Sequence, residues 1–177
     1  IVYHPKTWEK LNQTVGFRLV FLGSPLGGAY RIPSVLFGQD GIIEKLCKID
    51  IIYTKKELLK VFSKLPGILS LLPHSKEDDF SDPATWQTMR AAFGVNDWPL
   101  PTPTDLSEFG NYRDKIQDAL ENIDFTNATY IAGRDKATPC GYRIDDTKTG
   151  KELIFLSTAE GDQSVTWESG IPAKMIK

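Results

Sequence analysis

FLGSPLGGAY, residues 21–30 of the 177-residue chain, is the stretch on which the fold turns. An apolar run, Phe17 to Leu22, leads straight into Gly23, Ser24, Pro25, Leu26, Gly27 and Gly28. A nucleophile elbow needs G-x-S-x-G, because small flanking residues let the backbone take a strained strand-to-helix turn. Ser24 instead has Leu22 and Leu26 at those positions, and Pro25 removes the amide that would serve an oxyanion hole. A Walker loop needs G-x-x-x-x-G-K-[ST]. Gly23 and Gly28 keep that spacing, but Ala29 and Tyr30 stand where Lys and Ser or Thr belong. What remains is a tight, side-chain-poor turn at the C-terminal end of a strand. In open α/β sheets that edge is where ligands sit. The continuous apolar run predicts a strand buried on both faces, as in a parallel sheet under helices.

Outward from this turn the pattern becomes helical over residues 38–123. Ile42, Ile43, Leu46, Cys47 and Ile49 keep helical spacing. Thr54 with Glu57 forms a capping box, and Pro66–Gly67 reads as the stop of that helix. Asp82 before Pro83 is an N-cap, with Gly94 as the close. A proline-rich connector, DWPLPTPTD, precedes a longer helix capped at Ser107, with Phe109, Tyr112, Ile116, Leu120 and Ile123 on one stripe. Residues 5–13 read as a helix end or loop. Strands return at Thr129–Ala132, Gly141–Ile144 and Glu152–Ser157, the last two as an antiparallel hairpin about the polar turn DDTKTG. The expected class is α/β. Residues 1–37 and 124–177 form a core with few parallel strands and a β-hairpin, and residues 38–123 form a helical cap or lid insertion with a return helix.

The net charge of −2, with Lys and Arg scattered, argues against a nucleic-acid face. No apolar run approaches a membrane span. Two cysteines, Cys47 and Cys140, make neither a disulfide framework nor a zinc pattern, and fit a reducing, cytoplasmic setting. No cofactor or metal motif stands out. The chain opens Ile1–Val2–Tyr3 without Met and stops at Met175–Ile176–Lys177, as though inside an apolar strand, so it reads as a piece of a longer protein.

Two carboxylates draw attention. Asp162, in GDQSV, follows a strand and a small-residue loop, where an Asp can orient a catalytic His by accepting its Nδ1–H bond. A turn-forming Asp fits the same pattern. Asp135, in AGRDKATP, competes for the role; its neighbours Arg134 and Lys136 predict surface ion pairs. His4 and His74, the only histidines, lack partners at metal-ligand spacing and read as surface or capping residues. Trp86 and Trp98 read as packing, or as walls of an apolar pocket under the insertion.

These segments, in order, resemble the second half of a lipase-like α/β-hydrolase related to lecithin:cholesterol acyltransferase. FLGSPLGG is similar to the G-T-P-H-G-G turn after the sixth strand, with Ser24 for Thr and Leu26 for His. AEGDQSVTWESGIP is similar to the G-D-G-T-V-P loop that carries the triad acid, with Gln163, Ser164 and Thr166 replacing Gly, Thr and Pro. The resemblance implies that Asp162 is that acid, that the substrate is an acyl ester or lipid-like molecule, and that the serine and histidine lie outside these residues. It implies a fragment of a serine hydrolase or acyltransferase, inactive alone. Those two activities share an acyl-enzyme and stay unseparated. The alternative is a non-catalytic hydrolase-like binding or sensor domain. A sheet cut in half would leave an unpaired edge and invite self-association.

Overall fold

The computed structural model describes residues 4–49, 52–75 and 77–176; the Ile1–Tyr3 opening and Lys177 lie outside them. The described residues form a mixed α/β structure of eight α-helices and two small sheets. Strand β1, Leu19–Leu22, pairs in parallel with β2, Ala128–Ile131, and Leu19 stands opposite Ala128. Strands β3, Thr138–Thr147, and β4, Gly150–Thr158, form an antiparallel hairpin. Its ladder runs to Thr147 opposite Gly150, so the DDTKTG segment is mostly strand and only Lys148 and Thr149 turn.

The parallel pair is covered on one face. Helix α1, Pro5–Asn12, begins with Pro at its first turn and lays Trp8 against Phe21, Phe125 and Ile123. The Trp8 indole nitrogen also donates to the Asp124 carbonyl at 2.9 Å. The other face is bare: Val20 is 56% and Leu22 74% exposed. The apolar run at Phe17–Leu22 therefore does not make a strand buried on both sides. Alternation along β1 sends Phe21 inward and its neighbours outward, and no second layer packs on them among the described residues.

Between β1 and β2 run α2 (Arg31–Leu36), α3 (Gly41–Ile49), α4 (Lys55–Phe62), α5 (Pro66–Leu69), α6 (Pro83–Phe93) and α7 (Pro103–Asn122). Local chemistry sets their ends. The Thr54–Glu57 capping box forms with both of its bonds, the Asp82 side chain caps α6 at the Ala84 amide, and Gly94 closes it with φ 78°. Pro66 does not merely stop α4; it starts α5 at the first-turn position where its missing N–H costs nothing. Helix α7 begins four residues before Ser107. Thr102 is the cap, Pro103 follows it, and Asp105 returns the capping-box bond, so the proline-rich connector ends inside the helix.

The largest buried cluster lies in this insertion: Phe37, Leu72, Phe80, Trp86, Met89 and Leu106 are essentially inaccessible. Tyr142, Leu153 and Phe155 of the hairpin pack against it. Insertion and hairpin thus share one core. Trp86 and Trp98 belong to the packing, their indole nitrogens donating to the carbonyls of Phe80 and Leu36. After β4 come a loop at residues 159–166, the short helix α8 (Trp167–Gly170) and a 3-10 turn at Ala173–Met175, where the sequence had suggested a strand. No helix among the described residues is long and apolar enough to cross a membrane.

Candidate functional site

The turn after β1 is tight because backbone from two other segments lies against it. The Gly27 amide donates to the Ser169 carbonyl at 2.7 Å, and the Ala29 amide to Leu71 at 2.9 Å. The His74 amide donates in turn to the Gly27 carbonyl at 2.8 Å. A side chain on Gly27 would meet the Ser169 oxygen at 2.5 Å, and one on Gly28, whose φ is 81°, would meet the Leu72 oxygen at 2.1 Å. These two glycines are required by close approach of backbone, the general reason for glycine where chains cross. Tyr130 of β2 ties the turn down from below, its hydroxyl donating to the Ser24 carbonyl at 2.6 Å.

Asp162 stands over the C-terminal ends of both parallel strands. A methyl group on Gly23, which follows β1 at φ 53°, would sit 2.6 Å from Asp162 Oδ2. One on Gly133, which follows β2, would sit 2.8 Å from Asp162 Cβ. The first glycine of FLGSPLGG is therefore the floor on which the Asp162 carboxylate rests.

The carboxylate is held asymmetrically. Oδ1 accepts the backbone amides of Ser164 at 3.0 Å and Val165 at 2.9 Å. The Asp162 amide returns to the Val165 carbonyl, and Gly161 bridges Thr166. Oδ2 accepts no hydrogen bond from the described residues and lies against Gly23. One oxygen fixes the side chain and the other is left to accept a donor from outside. The loop's geometry comes at a local cost. Gln163 takes φ 77°, the only described non-glycine residue with positive φ, and left-handed backbone costs such a residue about 1 kcal/mol. The buried Thr138 hydroxyl holds it there by accepting the Gln163 amide at 2.9 Å.

Charges surround the carboxylate without touching it. The Arg31 guanidinium grips Asp40 with two nitrogens, at 2.6 and 3.2 Å, and donates with the third to the Ser164 hydroxyl at 2.6 Å. Its bond to Asp40 raises its proton affinity, so it stays charged. Burial pushes the Asp40 carboxyl up, but the bonds from Arg31 and from the Ile42 amide outweigh it and hold the carboxyl below its ordinary range. The Tyr130 phenol is pushed up to about 12, first by burial and then by the Asp162 charge. A cavity of about 840 Å³ opens beside the loop between the insertion and the hairpin. Its walls include Arg31, Asp40 and Gln163 on a polar side and Phe93, Leu153 and Phe155 on an apolar one.

Asp135 does not sit in ion pairs with its neighbours. It accepts the Gln163 side-chain amide at 2.8 Å, and that bond lowers its pKa. Arg134 lies instead over the Trp167 ring, 5.7 Å from its centroid. Asp135 is thus a brace for the residue after Asp162. His74 is neither on the surface nor a cap. Both ring nitrogens are buried with no hydrogen-bond partner among the described residues, and the ring lies 6.1 Å from that of Phe109. Burial, followed by the nearby Arg113 charge, lowers its pKa to about 4. No cluster of three or more metal-ligating side chains occurs among the described residues.

The sequence reading passed over Gly133, which accepts the Trp167 indole at 2.7 Å through its carbonyl, and Arg31. Gly133 carried a signal, a glycine just beyond a strand end; Arg31 carried none. Compared with protein-family models, with curated proteins and with solved structures, the chain matches none.

Proposed function

We propose that the chain is the acid-bearing part of a lipase-like α/β-hydrolase related to lecithin:cholesterol acyltransferase, with Asp162 as the acid of a Ser–His–Asp triad. The observation that carries the reading is the placement of Asp162. It lies across the C-terminal ends of two parallel strands, on glycine floors, with Oδ1 fixed and Oδ2 free of hydrogen bonds from the described residues. An imidazole N–H directed at Oδ2 would be held in one tautomer and its imidazolium stabilised. The serine oxygen then attacks the acyl carbonyl while the histidine takes its proton. The leaving alcohol takes that proton back, and water or a second alcohol accepts the acyl group.

On this reading the serine and the histidine come from polypeptide outside these residues, and the described sheet is part of a larger parallel one. Neither β1 nor β2 has a second strand partner among the described residues. Such edges invite pairing, so the isolated chain self-associates or keeps a partner segment; a monomer by light scattering at high concentration would count against this.

The reading is tested by ester turnover. The 177-residue chain should hydrolyse a short p-nitrophenyl ester at the background rate, because loss of triad members costs several orders of magnitude. A polypeptide joining it to a G-x-S-x-G elbow and a downstream histidine should turn the ester over and be inactivated by a serine-directed fluorophosphonate. Saturable, fluorophosphonate-sensitive turnover by the 177-residue chain alone would contradict the assignment. A joined polypeptide that binds the ester without turnover would favour a non-catalytic binding domain.

A further inference from the structure

The loop that carries Asp162 is held from two sides. Gln163 and Glu160 are tied to the base of the hairpin. The Gln163 amide donates to the Thr138 hydroxyl at 2.9 Å and its side chain to Asp135 at 2.8 Å, and the Glu160 amide donates to the Thr158 hydroxyl at 3.2 Å. Ser164 reaches the other way. Its hydroxyl accepts Arg31 Nη1, from the first residue of α2, at 2.6 Å and across 133 positions of sequence. Its amide donates to Asp162 Oδ1 at 3.0 Å. Two hydrogen bonds through one residue therefore lead from the Arg31 guanidinium to the carboxylate.

Arg31 is itself fixed at both ends. Pro33, Ser34, Val35 and Leu36 of its helix are buried, which anchors its backbone in the insertion. The other two nitrogens of its fork lie on Asp40, whose side chain is 10% exposed and whose Oδ1 also accepts the Ile42 amide at 2.8 Å. A planar guanidinium can hold a carboxylate with two nitrogens and aim the third elsewhere; an ammonium cannot keep both directions. The Asp40 bond raises the proton affinity of Arg31 against the pull of burial, and the charges of Asp40 and then of Asp162 add to it. Asp162 thus feels this cation without touching it. An arginine that only balanced Asp40 would need no bond to Ser164.

We infer that Arg31 is a positioning residue for Asp162, setting the acid loop from the insertion side through Ser164, an assignment that rests on Asp162 being the triad acid. An imidazole N–H must meet Oδ2 in one direction. Misplacing a catalytic group by about 1 Å can cost about a hundredfold in rate.

The first arm of the test needs no catalysis: amide hydrogen exchange followed by NMR in the full 177-residue chain. Ser164→Ala removes the hydroxyl and leaves the Arg31–Asp40 pair in place. Arg31→Lys keeps a charge beside Asp40 and loses the fork. Each should lower the exchange protection of the Val165 amide, the second donor to Asp162 Oδ1, by about tenfold. Protection along the β3–β4 ladder should stay at its wild-type level, which also shows that the variants fold. The double variant should lose no more than either single one, because both break one link. In the second arm each variant is placed in the polypeptide that supplies serine and histidine, where it should lower kcat for the p-nitrophenyl ester by about tenfold with KM unchanged. Wild-type protection at Val165 in either variant overturns the proposal, and so does a wild-type kcat in an active polypeptide. A polypeptide that turns over no ester before any substitution is a failure of the triad reading instead, and the exchange result then still decides whether Arg31 sets the loop.

Discussion

At the strand-end turn Gly28 combines φ 81° with a carbonyl 2.1 Å from where its side chain would be; in the insertion Gly94 has φ 78° and nothing within 4 Å. Both adopt left-handed backbone, but for different reasons. Gly94 ends a helix and faces open space. Gly28 lets two backbone segments touch, as Gly23 and Gly133 let the Asp162 carboxylate settle between the strand ends. The first region is built by close approach and the second by capping. A helix is set by its own ends and one apolar stripe; a site at the ends of parallel strands is set by distant segments arriving in one place.

Alanine at the two glycines separates these cases most sharply. Gly28→Ala should lose about 3–4 kcal/mol, because neither the turn nor the Leu72–Pro73 backbone can give way. Gly94→Ala should lose only about 1 kcal/mol, the conformational term alone. Urea unfolding of both variants checks this. Equal losses would erase the distinction between close approach and capping.

His74 lies where the two regions meet, its amide on Gly27 and its ring on Phe109. Burial keeps the ring neutral in the fold, with its pKa lowered from 6.5 to about 4. The unfolded chain therefore binds a proton at higher pH than the folded one. Stability should be unaffected above pH 6.5 and fall as pH drops from there to about 4. The loss is up to about 3 kcal/mol. His74→Leu should remove this part of the acid sensitivity in melts taken across the window. An unchanged pH dependence would mean the ring is not the group that titrates.

Smaller effects sharpen the contrast from each side. Thr54→Ala removes the side-chain acceptor for the Glu57 amide from a capping box on an exposed helix end, while the residue-54 amide can still donate to Glu57, and should cost about 1 kcal/mol. Gln163→Gly relieves left-handed strain but gives up the bond to Asp135, and should stabilise by about 0.5 kcal/mol. A clear destabilisation by Gln163→Gly in chemical unfolding would assign the brace to Asp135 more weight than the strain.

The same contrast governs what was legible in the sequence. The Thr54–Glu57 box, the Asp82–Pro83 start and the Gly94 stop are local, and a few residues state each of them. So are the positions of β1 and β2 and the existence of the hairpin. The start of α7 was missed because Thr102–Pro103–Pro-rich flanks obscure a capping box with Asp105 in place of Glu. The bare face of β1 was missed because an apolar run tells of hydrophobicity, not of what packs on it. At the site, Asp162 could be singled out from GDQSV, but its oxygen-by-oxygen environment depends on Gly23 and Gly133, each far away in sequence. His74 was misread because burial is a property of Phe109 and the turn rather than of its own neighbours.

In the proposed triad Asp162 is the acid and Asp135 only braces its neighbour, Gln163. The direct measurement is acyl-ester turnover by Asp162→Asn and Asp135→Asn in the polypeptide that supplies serine and histidine, with folding checked by thermal melt. Asparagine keeps the shape and can still meet the Ser164 and Val165 amides through its carbonyl oxygen, but it offers no charge at Oδ2. Asp162→Asn should lower turnover by about four orders of magnitude. Asp135→Asn should leave it near the wild-type rate, since only its bond to Gln163 is touched. A dead Asp135→Asn beside an active Asp162→Asn would move the acid to the other loop, and two active variants would contradict the triad reading altogether.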